Sequence, residues 1–328
     1  MSLDPPVGMM RAWAIAHYGD NPALSNLPVL RIGPRDILIR MYGAEVGDWD
    51  EVVRRGEWPM HRPFPLVLGL AGAGRISARG PEVSHFSKHD PVFTYSYPLY
   101  DNGAWAEYML VPEPYLARAP ASLTLPNAGA VPIVGLTAHE TIHDLLGVDK
   151  GDVVLVTAAS GGVGHLAVQM AARLGAHVIG VCGTDHVDFV RSLGAAEVVD
   201  YRTEDVVRAI LLKHPHGVPK ALNGVPGDQA DVYVQVMAAG GLLIDLPGEI
   251  TASKPGVKVN SEYVVHGDGA RLAKVSSMID DFLRVTISET YRFEQASQAL
   301  ATVLAKHVTG KIALHIVEPH APRKEQTQ

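Results

Sequence analysis

Three patches of this 328-residue chain carry residue types at spacings that could do chemistry. The first is Ala158-Ala159-Ser160-Gly161-Gly162-Val163-Gly164, which fits G-x-G-x-x-G with Ala159 in the first glycine position. It follows the apolar run Asp152-Val153-Val154-Leu155-Val156 and precedes a helical segment from about His165 to Leu174. A glycine turn between a buried strand and a helix offers bare N–H groups and a helix dipole to a pyrophosphate. In that reading Ser160, Gly162 and Val163 line the turn and Gly161 lets the ligand approach the backbone. Gly164 lets the helix settle on the strand. The chemistry implied is dinucleotide binding.

The second patch lies at the end of the next apolar run, His177 to Val181. A dinucleotide fold that prefers NAD places an acid there to hold the ribose diol. This chain has Cys182, followed by Gly183-Thr184-Asp185-His186. Small neutral residues leave room for a 2′-phosphate, with Thr184 and His186 as its ligands, so NADPH is the expected cofactor. Asp185 argues the other way unless it turns to solvent. Cys182 is the chain's single cysteine. It excludes an intrachain disulfide and a four-cysteine zinc site, and is expected to line a pocket rather than act as a nucleophile.

The third patch is His139-Glu140-Thr141-Ile142-His143, a match to H-E-x-x-H, with Asp149 downstream as a conceivable third ligand. Two histidines four apart on a helix share a face and could bind zinc beside a glutamate base. With 15 histidines in the chain, a chance match is expected in roughly one of thirty such sequences. Two packed or solvated histidines are the expectation, and a zinc metallopeptidase is the remote alternative. His214-Pro215-His216 reads as a loop.

The elements around these patches set the architecture. Before about residue 127 the chain is β-rich and punctuated by Gly and Pro, with runs at Ile37–Met41, Pro65–Leu68, Gly74–Ile76, Pro91–Phe93 and Glu107–Val111. Afterwards the spacing predicts a helix over Asn127–Leu146 broken at Pro132, then strands alternating with helices of about ten residues. Later strands are expected at Gly241–Asp245 and Lys258–Val265. Such alternation means right-handed βαβ units and a doubly wound parallel sheet. The length suggests two domains. Lys and Arg total 28 against 35 Asp and Glu, a net charge of −7, which disfavours nucleic acid and anionic membrane surfaces as partners. No run reaches the ~18 apolar residues of a membrane span. The N-terminal MSLDPPVGMMRAW lacks the pattern of a secretory leader, which makes the cytoplasm the expected location.

From Met10 to Ile316 the sequence resembles the zinc-independent medium-chain dehydrogenases/reductases of the quinone oxidoreductase (zeta-crystallin-like) group. The resemblance is carried by ordered blocks: Leu68 to Gly74, Gly80-Pro81 through Phe86 to Asp90-Pro91-Val92-Phe93, Gly103 to Tyr108, and Val134 to Ala138. The glycine turn, Leu193-Gly194-Ala195 with Asp200-Tyr201, and Gly310 to Leu314 complete the series. It implies an α/β fold in which a GroES-like β-rich catalytic domain (1–128 and 269–328) is interrupted by a Rossmann domain (129–268). It also implies a homodimer joined through the last strand of the cofactor sheet, placed at Glu262–Val265. Zinc-using relatives have ligands where this chain has Gly47, Leu70 and Ala71, and many zinc-free ones have Asn-Pro where it has Gly47-Asp48.

The activity implied is hydride transfer from NADPH to a quinone or an α,β-unsaturated carbonyl. The site residues implied are Thr137 near the nicotinamide, backbone groups of Leu246-Pro247-Gly248 for the carboxamide, and Tyr201 beside the 2′-phosphate. Asp48 and Trp49 are expected on one substrate wall, and Tyr95, Tyr97 and Tyr100 on the other, with a tyrosine as possible proton donor. Asp50 is expected to anchor its turn. The alternative is an NADPH-binding protein with little or no turnover.

Overall fold

The computed structural model describes residues 8–58, 63–98, 103–305 and 308–316. Its strands are β1 (Met9–Ile15), β2 (Ala23–Pro28), β3 (Asp36–Glu45), β4 (Leu66–Val67), β5 (Ala71–Arg79), β6 (Pro91–Tyr95), β7 (Tyr108–Pro112) and β8 (Leu116–Arg118). They continue with β9 (Val153–Val156), β10 (His177–Cys182), β11 (Glu197–Asp200), β12 (Val218–Asn223), β13 (Met237–Asp245), β14 (Lys258–Asn260), β15 (Ile287–Arg292) and β16 (Lys311–His315). Helices are α1 (Trp49–Arg55), α2 (Leu125–Ala128), α3 (Pro132–His139), α4 (Gly164–Arg173), α5 (Val187–Ser192), α6 (Val206–Lys213), α7 (Val232–Gln235), α8 (Gly269–Asp281) and α9 (Ala296–Leu304).

Six strands form an all-parallel sheet in the order β11-β10-β9-β12-β13-β14. The sheet is buried on both faces, and its strands show why. Val154 and Val156 enter one apolar cluster with Leu166 and Ala167 of α4, while Leu155 between them enters another with Ile210 and Tyr233. Alternate side chains point to opposite faces, so a continuous apolar run satisfies two helix layers at once. The chain reverses direction across the sheet between β9 and β12, and a crevice opens at the carboxyl ends of the strands there.

A second sheet follows the path β15-β16-β3-β5-β6-β8, with β7 also on β3. The C-terminal strands thus return to the first third of the sequence: β16 pairs antiparallel with β3, Leu314 opposite Ala44. Around it lies a core that includes Trp105, Phe93, Tyr95 and Phe293.

Two local expectations are corrected. The segment Asn127–Leu146 is not one broken helix but α2, α3 and a π-helical turn over Glu140–Leu145. Pro132 opens α3, where a missing N–H costs nothing. The strand expected over Lys258–Val265 stops at Asn260. Beyond it side chains take the chain over: Ser261 Oγ donates to Asp245, Tyr263 Oη to Glu140, and Val265 C=O accepts from Tyr95 Oη.

Candidate active site

A cleft of about 1680 Å³ runs along the carboxyl ends of the parallel strands and down against β3 and α1. Single small-molecule pockets span roughly 300–1,000 Å³, so this one has room for an extended dinucleotide and a second molecule.

Beneath the cleft, buried, runs a chain of polar side chains, each at the end of a different strand. Thr157, after β9, donates through Oγ1 to Asn223 Oδ1 (2.6 Å), and Asn223 Nδ2 donates to Asp245 Oδ1 (2.8 Å). Asp245 Oδ2 accepts from Ile250 N–H (2.9 Å) and Ser261 Oγ (3.1 Å). Asn223 and Asp245 are fully buried, and this satisfied network fixes the spacing of the strand ends.

The glycine turn lines the cleft from Ser160 to Gly164. Among the described residues no backbone acceptor takes the N–H of Ser160, Gly162 or Val163, which leaves three donors at the start of α4. The turn is braced from behind. His165 Nδ1 donates to Gly161 C=O (2.8 Å) while Nε2 accepts from Thr286 N–H (3.3 Å), a pairing that needs a neutral ring. Burial holds its pKa down to about 4. Gly310 N–H donates to Ser160 C=O (2.8 Å). The left-handed residue of the turn is Ala158 (φ 46°), one position before the Ala159 that fills the first glycine position of the sequence pattern.

At the end of β10, Cys182 is buried in the cleft wall, where burial raises its thiol to about 11, outside the range of a nucleophile at neutral pH. His186 and Tyr201 line the cleft. Thr184 does not: it turns its hydroxyl to Asp200 Oδ2 (2.6 Å), a carboxylate that outcompetes solvent for a nearby donor. The sequence reading missed Arg202, which also lines the cleft and pairs with Asp185 (2.9 Å), offsetting the acid that argued against a 2′-phosphate. A basic residue directly after Asp200-Tyr201, at the end of the strand beside β10, was the available signal.

Leu246, Pro247 and Gly248 follow β13 into the cleft, and Thr137 of α3 faces it with no hydrogen bond from its hydroxyl among the described residues. Asp48 and Trp49 stand on the opposite wall at the start of α1, where Asp48 accepts from Trp49 N–H (3.1 Å). Tyr95 reaches the cleft but is 1% exposed and donates its hydroxyl proton to Val265 C=O (3.1 Å), so it holds a loop where a proton donor was expected. Tyr97 lies outside this cleft, against the rings of His266 (5.3 Å) and Trp58 (5.5 Å). Tyr100 lies outside the described residues.

Beneath Trp49 sits a buried ionic group that sequence reading did not find. Lys311 Nζ lies 3.2 Å from Glu45 Oε1, donates to Val46 C=O (3.0 Å), and stands 4.7 Å from the centroid of the Trp49 indole. Glu45 also accepts from the N–H groups of Ile133 (2.8 Å) and Val134 (3.4 Å), capping α3 at its positive end. A Cβ on Gly47 would come within 2.2 Å of the Trp49 ring. The indole thus fills the space where zinc-using relatives need a cysteine side chain, while Leu70 and Ala71 are buried and offer no ligand atom.

Asp50 does anchor its turn, accepting from Gly47 N–H (2.9 Å), but its Oδ1 is buried without a partner. Burial pushes its pKa up to about 8, helped by the nearby Glu45 and Asp48 charges and opposed by Gly47 N–H and Lys311. Between its ordinary 3.8 and about 8 the folded chain holds a proton that the unfolded chain has lost, so this group's contribution to stability declines as pH rises through that window. Asp50→Asn, a mimic of the protonated acid, removes that decline. Between pH 5 and 8 wild type should lose up to about 1.4 kcal/mol per pH unit relative to the variant, the one-proton slope. Denaturant midpoints at the two pH values measure this, and parallel profiles would show Asp50 ionised throughout.

The H-E-x-x-H residues span the end of α3 and the π-helical turn that follows it. Glu140 accepts from Tyr263 Oη (3.0 Å) and lies 4.0 Å from Arg271. The two imidazoles are 4.5 Å apart and both are held below their ordinary pKa by burial, His139 at about 4. No third ligand, Asp149 included, joins them among the described residues.

Comparison with known proteins agrees with this geometry. Residues 33–121 match the alcohol dehydrogenase GroES-like domain, and residues 162–246 match the family described as zinc-binding dehydrogenase. The chloroplast envelope quinone oxidoreductase homolog of Arabidopsis thaliana is 31% identical, over 95% of this chain and 99% of its own. Among solved structures, the quinone oxidoreductase of Pseudomonas syringae pv. Tomato DC3000 superposes with a TM-score of 0.84 at 26% identity, over 94% of this chain and 100% of the other. A mycobacterial protein complexed with NADPH gives 0.83 at 25% identity, with the same coverage.

Proposed function

This chain belongs to the zinc-independent quinone oxidoreductases of the medium-chain dehydrogenase/reductase family, an NAD(P)H-dependent oxidoreductase group, and from that premise we propose that it is an NADPH-dependent reductase of quinones or α,β-unsaturated carbonyls. The observation that carries the reading is the pairing of the glycine turn, with its three bare N–H donors, and the Trp49 indole seated on Gly47. One side of the cleft is built for a pyrophosphate, and the other presents a flat aromatic wall where a metal ligand would otherwise stand.

In this reading Ser160 to Gly164 hold the pyrophosphate. Tyr201, Arg202 and His186 surround the adenosine 2′-phosphate, and the backbone of Leu246 to Gly248 meets the carboxamide. When bound, the nicotinamide supplies the hydride. The protein's share is orientation and exclusion of water. Trp49, Leu70 and the ring of Tyr95 give the substrate apolar surfaces to lie against, and the Thr137 hydroxyl offers a hydrogen bond to its oxygen. Cys182 shapes the adenosine end, and Asp48 flanks the mouth.

The domains follow as 1–128 with 269–328, and 129–268. A homodimer along the outer edge of β14, rather than through Glu262–Val265, belongs to the same reading, since β14 ends its sheet among the described residues. So does a cytoplasmic location, which fractionation would test against the chloroplastic setting named for the Arabidopsis relative. No helix among the described residues is long and apolar enough to cross a membrane.

The test is NADPH consumption by the purified chain with a panel of quinones and enones. Turnover of at least one class is expected. Tight NADPH binding with no turnover on any of them would instead favour a cofactor-binding protein without catalysis. For cofactor choice, Arg202→Ala should weaken NADPH binding at least about tenfold, as loss of a charge-assisted bond of ~1.5–3 kcal/mol implies. Its affinity for NADH should stay within about twofold, by calorimetric titration. Equal losses for both cofactors would remove Arg202 from the 2′-phosphate.

A further inference from the structure

At the end of the parallel sheet away from the cleft, His177 opens β10, Glu197 opens β11 and His214 follows the last turn of α6. The three come together. His177 Nε2 and His214 Nε2 both approach Glu197 Oε1, at 2.7 and 3.1 Å, and the three ligand atoms lie within 4.8 Å of one another. Lys213 Nζ takes the other carboxylate oxygen, Oε2, at 3.1 Å. The Glu197 and His214 side chains are 16% and 17% exposed, while His177 is 42% exposed. The cluster is therefore closed by protein on one side and open to solvent on the other.

We propose that His177, Glu197 and His214 form a binding site for a divalent transition-metal ion, zinc foremost, separate from the cofactor cleft. Two imidazole nitrogens and one carboxylate oxygen with an open position is a donor set that zinc accepts, with water as fourth ligand. Calcium and magnesium prefer all-oxygen shells. A tetrahedral ion about 2.0–2.2 Å from each ligand sets ligand atoms roughly 3.3 Å apart, so the 2.7 and 3.1 Å separations need to open by about 0.6 and about 0.2 Å. Metal binding requires an ionised carboxylate and neutral rings. Lys213, on the oxygen the metal does not need, holds the carboxylate in place and moderates the affinity by its charge.

The ion would act as a clip. β11 is an edge strand with β10 as its single sheet neighbour, and α6 follows it in the chain. One metal joins all three elements. The cluster sits a strand's length, roughly 17 Å at ~3.3 Å per residue, from Cys182 in the cleft wall, so loading should change stability and leave hydride transfer alone.

The experiment uses the untagged full-length chain, stripped by chelator and titrated with cobalt(II) and zinc. One equivalent should bind, with the intense visible bands of four-coordinate cobalt, and zinc should raise the thermal midpoint by several degrees. His214→Ala and the near-isosteric Glu197→Gln should each weaken binding at least about tenfold and abolish the midpoint shift. His143→Ala should bind as wild type does, and stripped protein should keep its NADPH turnover. The proposal fails if no stoichiometric ion binds, or if both cluster variants bind with wild-type affinity. Loss of the site on His143→Ala, or a turnover that depends on zinc, would also overturn it.

Discussion

Replacing Lys311 by Met should destabilise the protein by about 3–5 kcal/mol, the cost of stranding one member of a buried ion pair. Lys311 is 5% exposed and Glu45 not at all. Without the ammonium, Glu45 keeps only the N–H groups of Ile133 and Val134 as partners, and the burial that already raises its pKa acts unopposed by that cation. Set against a typical total of about 5–15 kcal/mol, the loss is severe. It should show as a lower denaturant midpoint at pH 7 and soften toward acid pH, where protonation of Glu45 removes the stranded charge. The double change Glu45→Gln with Lys311→Met removes both charges and should recover part of the loss. A single variant that loses less than about 1 kcal/mol would mean that water reaches this pair. The cofactor site should feel the change as well, because the Lys311 stem packs beside Gly162: a Cβ there would lie 2.9 Å from Lys311 Cδ.

The second large effect separates two glycines three positions apart. A Cβ at Gly164 would lie 2.2 Å from Ala158 C=O and 2.9 Å from Ala159 Cα, both backbone atoms that no rotamer change can move. Gly164→Ala must push α4 off β9, and is expected to cost about 1–3 kcal/mol and to lose NADPH binding with it. At Gly161 the same methyl meets only Ala158 C=O, at 3.2 Å. Gly161→Ala should keep its melting temperature within a degree or two, yet bind NADPH at least about tenfold more weakly, because the methyl stands where a pyrophosphate needs the backbone. Thermal melts and cofactor titrations on the two variants read this out. If Gly161→Ala binds NADPH normally, the pyrophosphate does not lie on that residue.

The same two cases mark how far local sequence reaches. The glycine turn was legible because its parts lie within seven residues and Gly164 answers a local steric demand. The alternation of strands and helices was legible for the same reason, as was the lack of metal ligands at Gly47, Leu70 and Ala71. Where those readings erred, a tertiary contact had overridden them. Thr184 turned to Asp200, Tyr95 gave its proton to Val265, and the strand expected to Val265 ended where Ser261 met Asp245.

The stretch after β9 was thus determined by sequence alone: a glycine turn of the dinucleotide pattern, a neutral residue at the end of the next strand, and a doubly wound sheet around them. Tertiary structure decided everything assembled from distant segments. Lys311 is 265 residues from the Val46 carbonyl it binds, and His177 is 20 from Glu197. No periodicity or spacing encodes such pairs, because they meet only when apolar faces elsewhere in the chain are buried. The pattern H-E-x-x-H, local and conspicuous, gathers no third ligand among the described residues. At the far end of the sheet, His177 and His214 converge on one carboxylate oxygen of Glu197, because the starts of β10 and β11 and the end of α6 meet there.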